Sequence, residues 1–278
     1  MSDQTDQSKQ VEQVWYTYLT TGSPPPSANV VWFESPILRP LVRRLPKDPR
    51  CQLCYYPFSG VGGTLARALL GVERSRLNPK ICNLCERFAR EHQGGAEVEA
   101  SFLFADVRGS TSLAERMSVH DFSRLIDRFY QEATSAIYDR NGMVEKLIGD
   151  EVTGFFVPGL AGKHHARQAV QAGQAILAST GHGSPQGPWV PVGVGVHFGT
   201  AYIGTVGMEG GGLDIAVLGD TVNTAARLAS QASAGEVVIS EAARAAAGLE
   251  GQGMEPRSLE LKGKEEPVQA WVLHHLAA

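Results

Sequence analysis

The chain has few cysteines, no long apolar run and no excess of one charge, and each shortage excludes something. No stretch approaches the ~18–20 consecutive apolar residues that a membrane-spanning helix needs. The opening residues MSDQTDQSKQ hold no apolar centre, which excludes a secretory signal peptide and leaves a cytoplasmic protein as the expectation. Lys and Arg number 25 against 29 Asp and Glu, a net charge of −4, so nothing marks the whole chain for nucleic acid. What is there is ordinary for a folded soluble protein: 43% hydrophobic and 19% charged residues. A length of 278 residues leaves room for one large domain with a small one, or for two of medium size.

The only cysteines are Cys51, Cys54, Cys82 and Cys85, two C-x-x-C pairs with 27 residues between the inner members. In a reducing compartment such pairs read as a zinc site before they read as disulfides, with iron–sulfur binding or redox sensing as alternatives. Upstream, residues 8–20 are expected to form a short helix, ended by Gly22 and Pro24-Pro25-Pro26. Residues 35–50 carry Arg39, Arg43, Arg44, Lys47 and Arg50 among prolines, a connector by composition, with a lipid- or partner-binding surface as the alternative. Between the cysteine pairs, SGVGGTLARALLG (59–71) is rich in glycine but lacks the Gly-Lys-Ser/Thr ending of a phosphate loop. Phe88 to Gly95 reads as a helix tail and linker. The expected division is an N-terminal helix and connector (1–50), a cysteine module with its linker (51–95) and one larger domain (96–278).

From residue 97 the pattern becomes regular. VEASFLFAD (98–106) is a strand ending in an acid, and Phe122, Leu125, Ile126, Phe129, Tyr130, Ala133 and Ile137 place a helix over 119–139. MVEKLIGDEVTGFFV (143–157) reads as strand, tight turn at Gly149-Asp150, and strand. A second helix falls within 163–179. Strands follow at 189–199 and 201–207, with Gly210-Gly211-Gly212 as a loose hairpin tip. A helix at about 220–232, EVVIS (236–240), a short helix, and strands near 257–262 and 268–274 complete an α+β arrangement of helices against a mainly antiparallel sheet.

Two acids stand out by position, Asp106 at a strand end and Asp150 at a turn. If their strands are neighbours, the paired carboxylates suit magnesium or manganese, whose remaining positions go to substrate phosphates, and two such ions would clamp both oxygens of a phosphoryl transfer. A helix cap and a turn former are the plainer readings of the same residues. The small residues of VRGSTS after Asp106 let backbone amides approach a phosphate near a helix start. Asn223 and Arg227, four apart, share one helical face, either solvated or presenting an amide and a guanidinium to developing phosphate charge.

FADVRGST, KLIGDEV and LGDTVNTAARL resemble, in that order, the three motif blocks of class III adenylyl and guanylyl cyclases, and LELKGKEEPVQAW looks like their closing strand. The resemblance covers roughly residues 97–275 and implies a ferredoxin-like catalytic domain. It implies that Asp106 and Asp150 hold two Mg2+ or Mn2+ ions per site with the backbone carbonyl of Val107, and that amides of Gly109, Ser110 and Thr111 hold the triphosphate. Asn223 would orient the ribose and Arg227 would stabilise the transition state at the α-phosphate. Lys262 would meet the terminal phosphates, with Lys264 in competition, and Lys146 would meet the base, where adenylyl cyclases carry lysine and guanylyl cyclases glutamate. ATP is thus the implied substrate and cyclic AMP the product. In this family one subunit supplies the acids, and the other supplies the base-binding lysine and the Asn/Arg helix. A chain holding both halves implies a homodimer.

One position departs from the pattern. Seven before Asn223, adenylyl cyclases usually carry aspartate or threonine and guanylyl cyclases favour cysteine, whereas this chain has Ala216. A lost base-reading hydrogen bond removes on the order of 1–2 kcal/mol of discrimination, so a cyclase of other base specificity, producing cyclic GMP or a cyclic pyrimidine nucleotide, stays open beside the adenylyl reading. A non-catalytic nucleotide-sensing module on the same fold is the remaining alternative. RCQLCYYPF and NPKICNLCE resemble the knuckles of a small four-cysteine zinc fold, which implies structural Zn2+.

Overall fold

Helix α1 (Ser2–Thr21) buries Val14, Trp15, Tyr18 and Leu19, the spacing of one helical face. The computed structural model describes residues 2–23, 25, 50–51, 53–75, 80–207, 213–250, 253–263 and 266–274. It contains two units, Met1–Val98 with Tyr202–Val217, and Glu99–Ala201 with Leu218–Ala278. Residues 35–49 of the basic connector, the Gly210–Gly212 tip and Lys264 lie outside the described residues.

In the first unit, α1 shares a core with the cysteine segment. The rings of Trp15 and Tyr18 lie 5.4 and 5.8 Å from that of Phe88 in helix α3 (Asn83–Glu91), which follows helix α2 (Gly60–Leu70). Trp15 Nε1 donates to the His92 carbonyl at 2.8 Å and the Tyr18 hydroxyl to the Leu53 carbonyl at 2.6 Å, so both rings bury their apolar bodies with the polar tip satisfied. The helix begins at Ser2, ahead of the 8–20 expected, while the residues that pack lie within that span. The glycine-rich 59–71 segment is α2, an ordinary helix whose Gly63 lies against the Phe58 backbone. The unit also takes in the start of strand β1 (Gly95–Val107), the end of strand β4 (Val192–Gly207) and strand β5 (Leu213–Leu218), which pairs with β4. Thr205 N–H donates to the Gly94 carbonyl at 2.7 Å.

The second unit continues β1 into helices α4 (Ser110–Arg116) and α5 (Val119–Tyr138), then the hairpin β2 (Met143–Ile148) and β3 (Glu151–Phe156). Helix α6 (His165–Ser179), β4, helix α7 (Asp220–Gln231), β6 (Glu236–Ser240), helix α8 (Glu241–Ala246), β7 (Glu255–Leu259) and β8 (Val268–His274) follow. The strand order is β2-β3-β1-β4-β6-β8-β7, with β4 and β6 parallel and the β1–β3, β2–β3, β6–β8 and β7–β8 pairs antiparallel. This is the mixed α+β fold with an antiparallel-rich sheet that the sequence pattern leads one to expect. Two boundaries differ. One strand, β4, replaces the pair expected at 189–199 and 201–207. Strand β7 ends at Leu259 rather than near 262, which leaves Lys262 in the turn that follows.

Valine and glycine alternate in VGVGV (192–196) because the two faces of β4 have different tasks. Val192, Val194 and Val196 enter the main core with Phe129 and Ile137 of α5, Val170 and Ile176 of α6, and Val237 and Ile239 of β6. Each such side chain contributes about 1.5–3 kcal/mol by leaving water. Gly193 and Gly195 face α7 instead. A Cβ on Gly195 would stand 2.2 Å from the Ala229 nitrogen and 2.6 Å from the Ala225 carbonyl oxygen, so the helix backbone lies directly on the strand. Leu228 and Ala232 then join Val238, Leu259, Ala270 and Val272 in a second cluster.

Candidate active site and cysteine cluster

Strand β1 runs antiparallel to β3 with Asp106 opposite Glu151, which sets the turn bearing Asp150 beside the end of β1. Val107 N–H donates to the Asp150 carbonyl at 3.1 Å. The turn needs a left-handed residue, supplied by Gly149 at φ 61°, and the Tyr130 hydroxyl of α5 fixes it by donating to the Gly149 carbonyl at 2.8 Å. The two acids expected to meet therefore lie at adjoining strand ends, both half-buried.

Their surroundings are acidic. Burial, and then the charge of Asp150, raise the Asp106 pKa against the opposing pull of Arg108. Glu151 is pushed up to about 7 by burial and by the charges of Asp106 and Asp150. Three carboxyls with one guanidinium leave a shortage of positive charge, and hard oxygen donors in that state fit a divalent cation such as Mg2+ or Mn2+. Directly after Asp106 and Val107, Gly109 caps α4, and Ser110 and Thr111 form its first turn.

Asn223 and Arg227 stand on α7, Asn223 exposed and Arg227 partly buried. Arg227 Nη1 is buried without a hydrogen-bond partner among the described residues, a guanidinium donor that wants an acceptor. The turn after β7 reaches this group: a Cβ on Gly263 would stand 3.4 Å from Arg227 Nη2, and the neighbouring Lys262 is exposed. Lys146 sits where β2 bulges. The register shifts between Val144 and Lys146, Lys146 N–H donates to Thr153 Oγ1 at 3.1 Å, and its ammonium pairs with the buried Glu145 at 3.1 Å. Ala216 is buried in β5, in the first unit.

Sequence reasoning missed Arg108, Glu145 and Glu151 in this neighbourhood. Arg108 pairs with the Asp106 carboxylate and its Nη1 donates to the Ser230 carbonyl at 3.3 Å. The partner 122 residues away leaves no local sequence signal. Glu145 and Glu151 adjoin motif residues, and a count of acids around KLIGDEV would have found them.

The four cysteines converge in the first unit. Their sulfur atoms all lie within 4.8 Å of one another, Cys54 and Cys82 at 3.6 Å, and none forms a disulfide. Cys82 N–H donates to Cys51 Sγ at 3.2 Å and Cys85 N–H to Cys82 Sγ at 3.4 Å. Burial pushes the Cys54 and Cys85 thiols up, while hydrogen bonds from Cys51, Cys54 and Cys85 pull Cys82 well down. Four sulfurs around zinc at ~2.3 Å stand about 3.8 Å apart, so the donor set and its spacing fit that ion.

A sequence profile of the family described as "Adenylate and Guanylate cyclase catalytic domain" matches residues 95–275. An adenylate cyclase of Anabaena cylindrica is 30% identical over 142 residues, which is 46% of this chain and 26% of that protein, so the chain spans about a quarter of the relative's length. Among solved structures, the adenylyl cyclase CyaB from P. aeruginosa is similar with a TM-score of 0.56 at 25% identity, covering 64% of this chain and 94% of that one. The guanylyl cyclase Cya2 is similar in fold with a TM-score of 0.57 at 23% identity, covering 65% of this chain and 93% of the other.

Proposed function

The chain belongs to the adenylate and guanylate cyclase catalytic-domain family, and on that premise we propose that residues 96–278 convert ATP to 3′,5′-cyclic AMP and pyrophosphate at sites shared by a homodimer. The observation that carries this reading is the pair of carboxylates at the end of β1 and the β2–β3 turn, with the unsatisfied donor of Arg227 as its complement.

Asp106 and Asp150, with the Val107 carbonyl, would hold two Mg2+ or Mn2+ ions, which would supply charge neutralisation for the triphosphate and lower the pKa of the ribose hydroxyl. Amides of Gly109, Ser110 and Thr111 hold the triphosphate, and Lys262 takes the terminal phosphates, with Lys264 as its competitor. Asn223 orients the ribose. The 3′-oxygen forms its bond to the α-phosphorus as the bond to the bridging oxygen breaks, pyrophosphate departs with that electron pair, and the hydroxyl proton passes to solvent. Arg227 meets the charge that grows on the α-phosphoryl oxygens with a donor that has no competing partner among the described residues.

Exposed apolar side chains favour the dimer. Leu147 and Ile148 are 45% and 57% exposed on the acid-bearing hairpin, and Leu218 is 52% exposed just before α7. A second copy of the chain would cover them. Among the described residues no helix is long and apolar enough to cross a membrane. On this reading Cys51, Cys54, Cys82 and Cys85, within the first unit, hold one structural zinc.

A second reading, a cyclase of other base specificity, is favoured by Ala216, whose side chain offers the base no hydrogen bond, and by Glu145, which already engages Lys146. A purely nucleotide-sensing module would not need both acids and Arg227, and all three are present. Incubation of the protein with Mn2+ and each of the four ribonucleoside triphosphates, followed by identification of the products, separates the three. Cyclic AMP from ATP alone is expected. A cyclic product from another nucleotide establishes the second reading, and no product from any overturns both catalytic readings.

A further inference from the structure

We propose that Arg108 is a built-in counter-cation for Asp106, which a divalent metal must displace, and whose displacement frees the end of α7. Its backbone is fixed, because Arg108 N–H donates to the Pro191 carbonyl at 2.8 Å. Its guanidinium makes three contacts. Nη2 pairs with the Asp106 carboxylate, Nε donates to the Asp106 carbonyl at 3.3 Å, and Nη1 donates to the Ser230 carbonyl at 3.3 Å, in the last turn of α7. Both partners are only partly exposed, with 21% of the Arg108 and 28% of the Asp106 side chain open to solvent, so the pair is less screened than one at the surface.

The inference rests on the reading of Asp106 as a metal ligand. A carboxylate oxygen engaged by a guanidinium cannot also be given fully to a dication, and the two cations repel. Metal binding therefore competes with the Arg108 pair, and once that pair breaks the guanidinium that donates to Ser230 keeps only the Asp106 carbonyl as a second partner, having lost its charged one. A helix C-terminus leaves its last carbonyls without intrahelical partners, so removal of this donor loosens the final turn of α7, the helix that bears Asn223 and Arg227. In a homodimer whose sites each take acids from one chain and α7 from the other, one chain's Asp106 and α7 belong to different sites. Arg108 then carries the state of one site to the other through a single side chain.

The test uses protein without nucleotide. Mn2+ titration followed by electron paramagnetic resonance, on wild-type, Arg108→Ala, Arg108→Lys and Asp106→Asn proteins, reads the competition. Arg108→Ala is expected to bind Mn2+ about fivefold more tightly, the size of one partly exposed ion pair removed, and Arg108→Lys, which keeps the charge, should return most of the way. Hydrogen exchange over residues 228–232 reads the tether: it should quicken on adding Mn2+ to the wild type, and be fast and insensitive to Mn2+ in Arg108→Ala. Equal or weaker Mn2+ binding by Arg108→Ala with unchanged circular dichroism overturns the proposal, as does wild-type exchange that ignores Mn2+. Arg108→Gln serves in the same way if the alanine protein does not fold. Mn2+ binding that survives in Asp106→Asn shows instead that the metal-ligand reading has failed, and takes the proposal with it.

Discussion

Substitution of Gly195 by alanine probes the seat of α7 without touching a polar group. The added Cβ would stand 2.2 Å from the Ala229 nitrogen, 2.6 Å from the Ala225 carbonyl oxygen and 2.7 Å from the Ala229 Cα. Optimal separation between such atoms is about 3.5 Å, so helix and strand must part by roughly 1 Å. Every atom in the way is backbone, so no side chain can rotate to make room. Overpacking of this kind costs about 1–3 kcal/mol, which for a unit of this size lowers Tm by roughly 2–10 °C. Displacement of Asn223 and Arg227 by about 1 Å is expected to cost on the order of a hundredfold in turnover. Calorimetry and a nucleotide-cyclisation assay on the same preparation read both quantities. A Tm within a degree of wild type refutes the described seating of α7. A lowered Tm with unchanged turnover per folded molecule refutes the assignment of α7 to the reaction.

Three further outcomes follow from the geometry. Asp106→Ala and Arg227→Ala proteins should each be inactive, and mixing them should restore activity through one intact heterodimer site; no recovery despite measured subunit exchange argues against shared sites. Arg257 donates to both Glu236 oxygens at 2.9 and 3.0 Å and holds that carboxyl below the usual carboxylate range. The stability this adds is present above the unfolded glutamate value of about 4.3 and is lost as pH falls through the lower folded value. Arg257→Met should therefore lower Tm at neutral pH and flatten the acid limb of the Tm–pH curve, and parallel curves for the two proteins would contradict it. Elemental analysis of protein purified without added metal should find about one zinc per chain, lost in the Cys82→Ser, Cys85→Ser double variant; iron, or no metal with four reactive thiols, contradicts the zinc assignment.

What the sequence made legible was whatever local periodicity encodes. A strand ending at Asp106 and a Gly-Asp turn between two apolar runs were legible from alternation and a left-handed turn residue, but that the two acids meet depended on the pairing of β1 with β3, which local pattern leaves open. The VGVGV run was legible as a strand but not as the seat of a helix, since the partner atoms of Gly195 belong to Ala225 and Ala229. The common core of α1 and the cysteine segment was missed for a similar reason. Trp15 and Phe88 are separated by most of the first unit, and nothing near either announces the other. The bulge at Glu145, where Lys146 N–H bonds the Thr153 hydroxyl on the next strand, was hidden because it is a pairing fact and not a composition one.

The first unit is discontinuous, closing the N-terminal segment on Tyr202–Val217 through the bonds between Gly94 and Thr205. Recombination at residue 95, the edge of the family match, would therefore not exchange a self-contained cassette. A foreign N-terminal segment joined there would inherit Ile203 and Gly204 as ready-made neighbours, and would need a glycine where Gly95 stands, since a Cβ at that position comes within 2.4 Å of the Ile203 carbonyl oxygen. Exchange of the segment in front of residue 95 is thus filtered by a residue pair far along the chain, and successful chimeras should be those whose junction preserves the glycine.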